Sequence, residues 1–367
     1  MQQEPKRVLV LQGGGALGAY QAGVYEGLAE ANFRPDWIAG ISIGAINAAL
    51  IAGNAREDRL PRLRTFWERA SAGMPFTPDV PNSAVRSYLN DASAVWTATM
   101  GVNGFFKPRV PPATFYPPGM PEALSYYDTT PLRATLEELV DFDRINAKVH
   151  RLSLGATNIR TGELVYFDNE KQTIRPEHVM ASGALPPGFP PIEIDGEHYW
   201  DGGVVSNTPL QYVMQGTTKD DLLVFQIDLF NAHGALPRTL LEVAEREKDI
   251  RYASRTTHNT DQALKIHEAK VALRALLATL PDALRNTPSA ELLGDLSYEN
   301  AVTLVKLVYR RKPYEGPSKD YEFSRLAMTE HWAAGLADLR KSMEKRADMT
   351  CERHKRTTKT IEPESAA

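Results

Sequence analysis

Trp37-Ile38-Ala39-Gly40-Ile41-Ser42-Ile43-Gly44-Ala45-Ile46-Asn47-Ala48-Ala49-Leu50-Ile51-Ala52 reads as a buried strand, a sharp turn and a helix of small residues. The turn is a Gly-x-Ser-x-Gly elbow. A backbone that reverses so tightly has room for the serine only if Gly40 and Gly44 flank it. The hydroxyl is then lifted clear of the backbone, with a helix N-terminus beneath it. Gly-x-Ser-x-Gly alone recurs by chance, so the nucleophile reading of Ser42 needs companions.

The first companion is Gln12-Gly13-Gly14-Gly15-Ala16-Leu17-Gly18, which follows the apolar strand Arg7-Val8-Leu9-Val10-Leu11. Tyr20, Val24, Tyr25 and Leu28 then fall on one helix face. Glycines at a helix start leave several N–H groups directed at one small volume, a nest for negative charge. Two occupants fit: a nucleotide pyrophosphate, or the oxyanion formed when a serine attacks an ester. Gly13, Gly15 and Gly18 satisfy the dinucleotide pattern G-x-G-x-x-G. That reading also needs an acidic residue at the end of the second strand. Asp36 has the spacing but precedes the strand, and Gly40 to Gly44 occupy its end. A dinucleotide-binding module using the Gly13–Gly18 loop stays as the alternative from another class.

The second companion is Asp201-Gly202-Gly203. Pro191 to Trp200 reads as a hairpin turning at Asp195-Gly196, which puts Asp201 where its second strand ends. There a partly desolvated carboxylate can accept a serine proton. A plain Asp-Gly turn explains the same residues equally well in isolation.

Together, in this order, the three segments resemble the patatin-like phospholipases. Their members carry a glycine-rich oxyanion loop (here Gly13, Gly14, Gly15, Ala16 and Gly18), a serine elbow and a late D-G-A/G motif (here Asp201, Gly202 and Gly203). The resemblance covers about residues 6 to 230. It includes Ala181-Ser182-Gly183-Ala184-Leu185-Pro186-Pro187-Gly188-Phe189-Pro190-Pro191, which looks like the family's site-lining segment. It implies a three-layer α/β fold, with a central, mainly parallel sheet between helices. It also implies a Ser-Asp dyad, Ser42 as nucleophile and Asp201 as base, cleaving lipid carboxylic esters through an acyl-enzyme. Many members place Arg or Lys where this chain has Leu17, so the resemblance assigns no cation here. The runner-up among enzymes is a soluble carboxylesterase for non-lipid esters.

Histidine offers a rival base. Among the 8 His, His233 follows the strand Leu222 to Asp228, and His198 lies three residues before Asp201. A Ser-His-Asp hydrolase of the α/β-hydrolase type would place several strands before its nucleophile, and only one fits here. His258, His267, His331 and His354 lie in charged helical sequence and are expected to be solvated.

Composition narrows the rest. The 367 residues carry a formal net charge of -4, with no whole-protein pull toward nucleic acid. Cys351 is the only cysteine, so no intrachain disulfide forms, which fits a reducing compartment. No cofactor or metal is expected, because the carboxylates lack a repeated ligand spacing. No segment has the apolar length of a membrane span. The expectation is a cytoplasmic protein that meets its lipid or ester substrate from the membrane surface, by peripheral contact.

The acyl hydrolase domain is expected over 6–236. Within it, 73–121 is rich in proline and aromatics and reads as a structureless insertion. As a lid, it would offer Phe105, Phe106, Phe115 and Tyr116 to an acyl chain. Core sequence resumes with a helix at Pro131 to Val140, strands at 151–158 and 163–168, and the strand Leu222 to Asp228, expected to close the sheet. A helical C-terminal extension follows over 237–345, with helices at Thr239 to Leu280 and Leu292 to Arg310. Its expected role is structural packing; a cap over the pocket or a homo-oligomer face are the alternatives. The basic tail, 346–367, reads as a solvated end, with docking to an anionic bilayer as the alternative.

Overall fold

The structure, a computed structural model, describes residues 4–73, 80, 83–216, 220–234, 236–298, 300–312, 314–344 and 359–361. The chain opens with strand β1 (Lys6–Leu11), helix α1 (Gly18–Glu30), β2 (Trp37–Ile41), α2 (Ile43–Ala52) and α3 (Arg56–Ala70). Helix α4 (Ser83–Met100), the short strands β3 (Lys107–Pro108) and β4 (Tyr127–Asp128), and helices α5 (Thr130–Leu139) and α6 (Phe142–Asn146) come next. Then follow β5 (Arg151–Asn158), β6 (Leu164–Asp168), α7 (Pro176–Ser182), β7 (Ile192–Ile194), β8 (Glu197–Asp201), α8 (Leu210–Gln215) and β9 (Leu222–Asp228). The C-terminal third holds α9 (Leu240–Ala278), α10 (Asp282–Arg285), α11 (Pro288–Leu296), β10 (Val302–Val308), α12 (Arg325–Glu344) and β11 (Lys359–Ile361).

Alternation along the strands makes three layers. On β1, Leu9 and Leu11 face one buried cluster, while Val8 and Val10 face the other. On β9, Phe225 and Ile227 divide from Leu222 and Val224 in the same way. Successive side chains of a strand leave on opposite faces, so apolar residues at every position demand cover on both. Helices α1, α2, α3 and α12 cover one face; α8 and the middle of α9 cover the other. The strand order is β11-β10-β9-β1-β2-β5-β8-β7, with β6 also on β5. Pairing is parallel from β11 through β5 and antiparallel among β5, β6, β7 and β8. This is the expected α/β architecture.

One junction in this sheet positions the site. Strand β5 pairs with β2 as far as Ile41↔Gly155, and with β8 from Ala156↔Asp201 onward. Its other edge is taken by β6 across the same stretch. The C-terminal ends of β2 and β8 therefore abut on one edge of β5, and Ser42 and Asp201 meet there. The hairpin that delivers Asp201 turns where expected, with φ of 52° at Asp195 and 83° at Gly196.

The C-terminal third departs from expectation. Val302–Val308 is a strand, not helix, because its apolar residues alternate between the two clusters beside β9. The strand Leu222–Asp228 consequently lies inside the sheet, between β1 and β10, and does not close it. Two histidines expected in solvent are buried. His331 Nε2 lies 2.6 Å from Glu315 Oε1, and His267 Nε2 lies 3.1 Å from the Asn300 carbonyl. Residues 83–100 of the expected structureless insertion form α4. The tail's Cys351, His354 and most of its basic residues lie outside the described residues; Lys359–Ile361 pair with Thr303–Val305. Among the described residues no helix is long and apolar enough to cross a membrane.

Helix α12 lies on α1 with backbones touching. A Cβ on Gly335 would come 2.0 Å from the Tyr20 carbonyl oxygen, and one on Gly23 would come 1.9 Å from that of Trp332. Backbone on both sides cannot yield as a side chain can. Gly335→Val should therefore destabilise by about 3 kcal/mol, the upper end of overpacking costs. A thermal melt within 1 °C or so of wild type would show instead that the two helices separate freely.

Candidate active site

Ser42 has φ 58° and ψ -126°, a backbone region that side chains other than glycine rarely adopt. Its neighbours explain how the turn is held. A Cβ on Gly40 would lie 2.3 Å from the Gly44 carbonyl oxygen, and one on Gly44 would lie 2.4 Å from that of Leu11. The Ser42 N–H donates to the Ser182 carbonyl (3.0 Å), while the Ser42 carbonyl accepts from Ala45 (2.9 Å) as α2 begins. Both backbone groups are thus engaged, which leaves the hydroxyl for chemistry.

That hydroxyl shares the cavity with the carboxylate of Asp201, which is 1% exposed, and lies near enough to favour its charged form. The Gly203 N–H also donates to Asp201 Oδ1, at 2.7 Å. Burial pushes the Asp201 carboxyl up to about 7, although the nearby Ser42 hydroxyl and the Gly203 N–H favour its charged form and oppose the shift. Gly202 is required by crowding: a Cβ there would sit 2.7 Å from the Gly155 carbonyl oxygen.

The glycine-rich loop lies across the same floor. A Cβ on Gly13 would fall 2.4 Å from Asn207 Oδ1 and 2.9 Å from Ser42 Cβ. Asn207 fixes this end from both sides: its carbonyl accepts from the Gly13 N–H (3.2 Å), and its Nδ2 donates to the Gly13 carbonyl (2.9 Å). At the other end, the Ala16 N–H donates to the Asp320 carbonyl (2.8 Å). Of the expected nest from Gly13 to Ala16, the first and last N–H groups are therefore already used. Those of Gly14 and Gly15 have no partner among the described residues. Gly18 serves packing, since a Cβ there would sit 2.5 Å from Ile43 Cγ1.

Above this floor is a cavity of about 420 Å³. Its walls are aromatic: Phe105, Phe106, Phe189, Phe230, Tyr252 and Phe323, with Leu185, Pro186 and Pro187 from the segment expected to line it. Phe105 and Phe106 are buried in the wall, whereas Phe115 is 76% exposed; neither Phe115 nor Tyr116 lines the cavity. No Lys, Arg or His is among the described residues that line it. Leu17 is fully buried in the core. His233 lines a separate polar cavity with Arg246 and Arg311, and His198 is exposed on β8, so neither shares the cavity with Ser42. Asp36 sits at the N-terminal end of β2, the end of the strands opposite the glycine loop, where it accepts from the Arg7 N–H (2.8 Å). No group of His, Cys, Asp and Glu among the described residues could hold a metal ion.

Sequence reading missed Asn207, Tyr252 and the segment Asp320, Tyr321 and Phe323. Asn207 had a signal: six residues past Asp201, in Ser206-Asn207-Thr208-Pro209, it is a polar residue in a turn beside the motif. The other four come from sequence without any motif.

Residues 9–214, more than half of the chain, match the family model described as patatin-like phospholipase. A second model, described as patatin phospholipase, matches residues 250–355. No curated protein matches. Among solved structures, VipD from Legionella pneumophila is similar at 15% identity and a TM-score of 0.41, covering 94% of this chain and 67% of that one. Full-length ExoU in complex with SpcU, from the type III secretion system of Pseudomonas aeruginosa, is similar at 17% identity and a TM-score of 0.30. There the match covers 77% of this chain and 58% of that one.

Proposed function

The chain belongs to the patatin-like phospholipase family of ester hydrolases, and we propose that it cleaves lipid carboxylic esters through a Ser42–Asp201 dyad and an acyl-enzyme. The observation that carries this reading is a strained serine beside a buried carboxylate on the floor of one aromatic cavity.

Asp201 takes the Ser42 proton as the serine oxygen attacks the ester carbonyl carbon. The oxyanion formed there is held by the Gly14 and Gly15 N–H groups, each well-placed donor being worth about 3 kcal/mol in comparable sites. The carbon–oxygen bond to the alcohol breaks, and the alcohol leaves with the proton from Asp201. Water then gives a proton to Asp201 and attacks the acyl-serine carbonyl, releasing the acid and restoring the hydroxyl.

Substrate preference follows from the walls. With aromatic walls and no lining cation among the described residues, recognition rests on the acyl chain and not on an anionic head group. Each methylene that enters the cavity should raise kcat/KM by up to about fourfold, from roughly 0.8 kcal/mol of burial. The test is a series of chromogenic esters from two to twelve carbons, run beside a fluorescent phospholipid. Rates that stay flat or fall with chain length, with the phospholipid untouched, would favour a soluble esterase for non-lipid esters.

A further inference from the structure

The glycine loop is held by a part of the chain that lies more than 300 residues away. The Asp320 carbonyl accepts from the Ala16 N–H at 2.8 Å. The same oxygen would lie 2.1 Å from a Cβ on Gly15, where φ is 55°. This one peptide therefore sets both the end of the loop and the residue type it tolerates.

Helix α9 holds that peptide. Lys248 Nζ bonds the Asp320 carboxylate, the Tyr321 hydroxyl (2.7 Å) and the Pro317 carbonyl (3.2 Å). The adjacent Lys319 reaches Asp249 (2.7 Å) and Glu245 (3.4 Å). Positions 245, 248 and 249 lie on one helix face. Lys248 and Asp320 are 16% and 12% exposed at their side chains, and Lys319 is 4% exposed. Asp320 and Tyr321 line the cavity above Ser42.

We propose that the Lys248–Asp320 pair is a positioning device for acyl transfer. It fixes the peptide that takes up the Ala16 N–H and so leaves Gly14 and Gly15 as the loop's oxyanion donors. The C-terminal third then completes the active site of the domain that precedes it. The proposal rests on the acyl hydrolase reading, and it adds residues outside the three sequence motifs.

The test uses the full chain and a short chromogenic ester, which leaves the acyl cavity largely unfilled. Lys248→Met should lower kcat at least tenfold while KM stays within about twofold, and Lys248→Arg should restore most of the loss. A single substitution leaves Asp320 unpaired and can harm folding. Lys248→Met combined with Asp320→Asn removes both charges and answers that case: it should fold, by its melting transition, and keep the kcat defect. Wild-type kcat in either folded variant, or a rise in KM alone, would overturn the proposal. Wild-type protein without ester hydrolysis would overturn the acyl hydrolase reading, and this proposal with it; a normal wild type with unaffected variants would overturn the proposal alone.

Discussion

Ser42→Ala should lower kcat on any ester by roughly 10⁴- to 10⁶-fold, the range seen when a hydrolase loses its nucleophile. At 1.36 kcal/mol per tenfold, that is about 5–8 kcal/mol of transition-state stabilisation. Labelling by a serine-directed fluorophosphonate should vanish with it. The fold should survive, because the backbone hydrogen bonds that hold the elbow, from the Ser42 N–H to Ser182 and from Ala45 to the Ser42 carbonyl, do not involve the hydroxyl. Ser42→Gly separates chemistry from conformation. It should be equally inactive yet more stable by about 1 kcal/mol, because a φ of 58° strains a side-chain-bearing residue and not glycine. Residual labelling in Ser42→Ala would place the reactive serine elsewhere. A loss of stability in Ser42→Gly would mean that the elbow is not strained.

What the sequence revealed about this site was local. Gly40, Gly44 and Gly202 were legible because crowding within a few residues, or against a neighbouring strand, forbids a Cβ there. The hairpin that carries Asp201 was legible because Asp195-Gly196 is a turn dipeptide with both φ values positive. What stayed hidden depends on partners far along the chain. Val302–Val308 is a seven-residue segment interrupted by Thr303 and Lys306, a length at which strand and helix share one pattern; only its place beside β9 decides. His331 sits in charged helical sequence, and its burial follows from Glu315 on a separate loop, a carboxylate already bonded by the Tyr309 hydroxyl at 2.7 Å. Asp320 acts on the glycine loop through a main-chain carbonyl, an atom that every residue possesses, so no residue type announces it. Phe105 and Phe106, expected on a lid, form buried wall of the cavity above Ser42. Proline and aromatic content drew attention away from Ser83 to Met100, where proline is absent and helix follows.

Asp201→Asn should cost about as much activity as a lost general base allows, on the order of 10²–10⁴ in kcat, while making the protein more stable at alkaline pH. Both effects come from burial. A carboxyl raised to about 7 in the folded chain, against about 3.9 unfolded, favours its neutral form in the fold. Below pH 4 both states are protonated, and the group has no differential effect. As pH rises from 4 to 7 the unfolded state ionises first, so folding loses stability, up to about 4 kcal/mol once Asp201 itself is charged. Asparagine never ionises and can still accept from the Gly203 N–H through its carbonyl. The melting temperature of Asp201→Asn should therefore exceed that of wild type above pH 8, with the gap closing toward pH 4. Catalysis by the proposed dyad should run the other way, because its base must be ionised to accept the Ser42 proton. Wild-type kcat/KM should fall about tenfold per unit below pH 7 and level off above it. A profile that stays flat from pH 5 to 8 would remove Asp201 as the base, and an unchanged melting temperature at pH 9 would show that its charge is not buried. The same desolvation that destabilises the fold brings this carboxylate near the operating pH. An aspartate at its ordinary value would be a far weaker base toward serine.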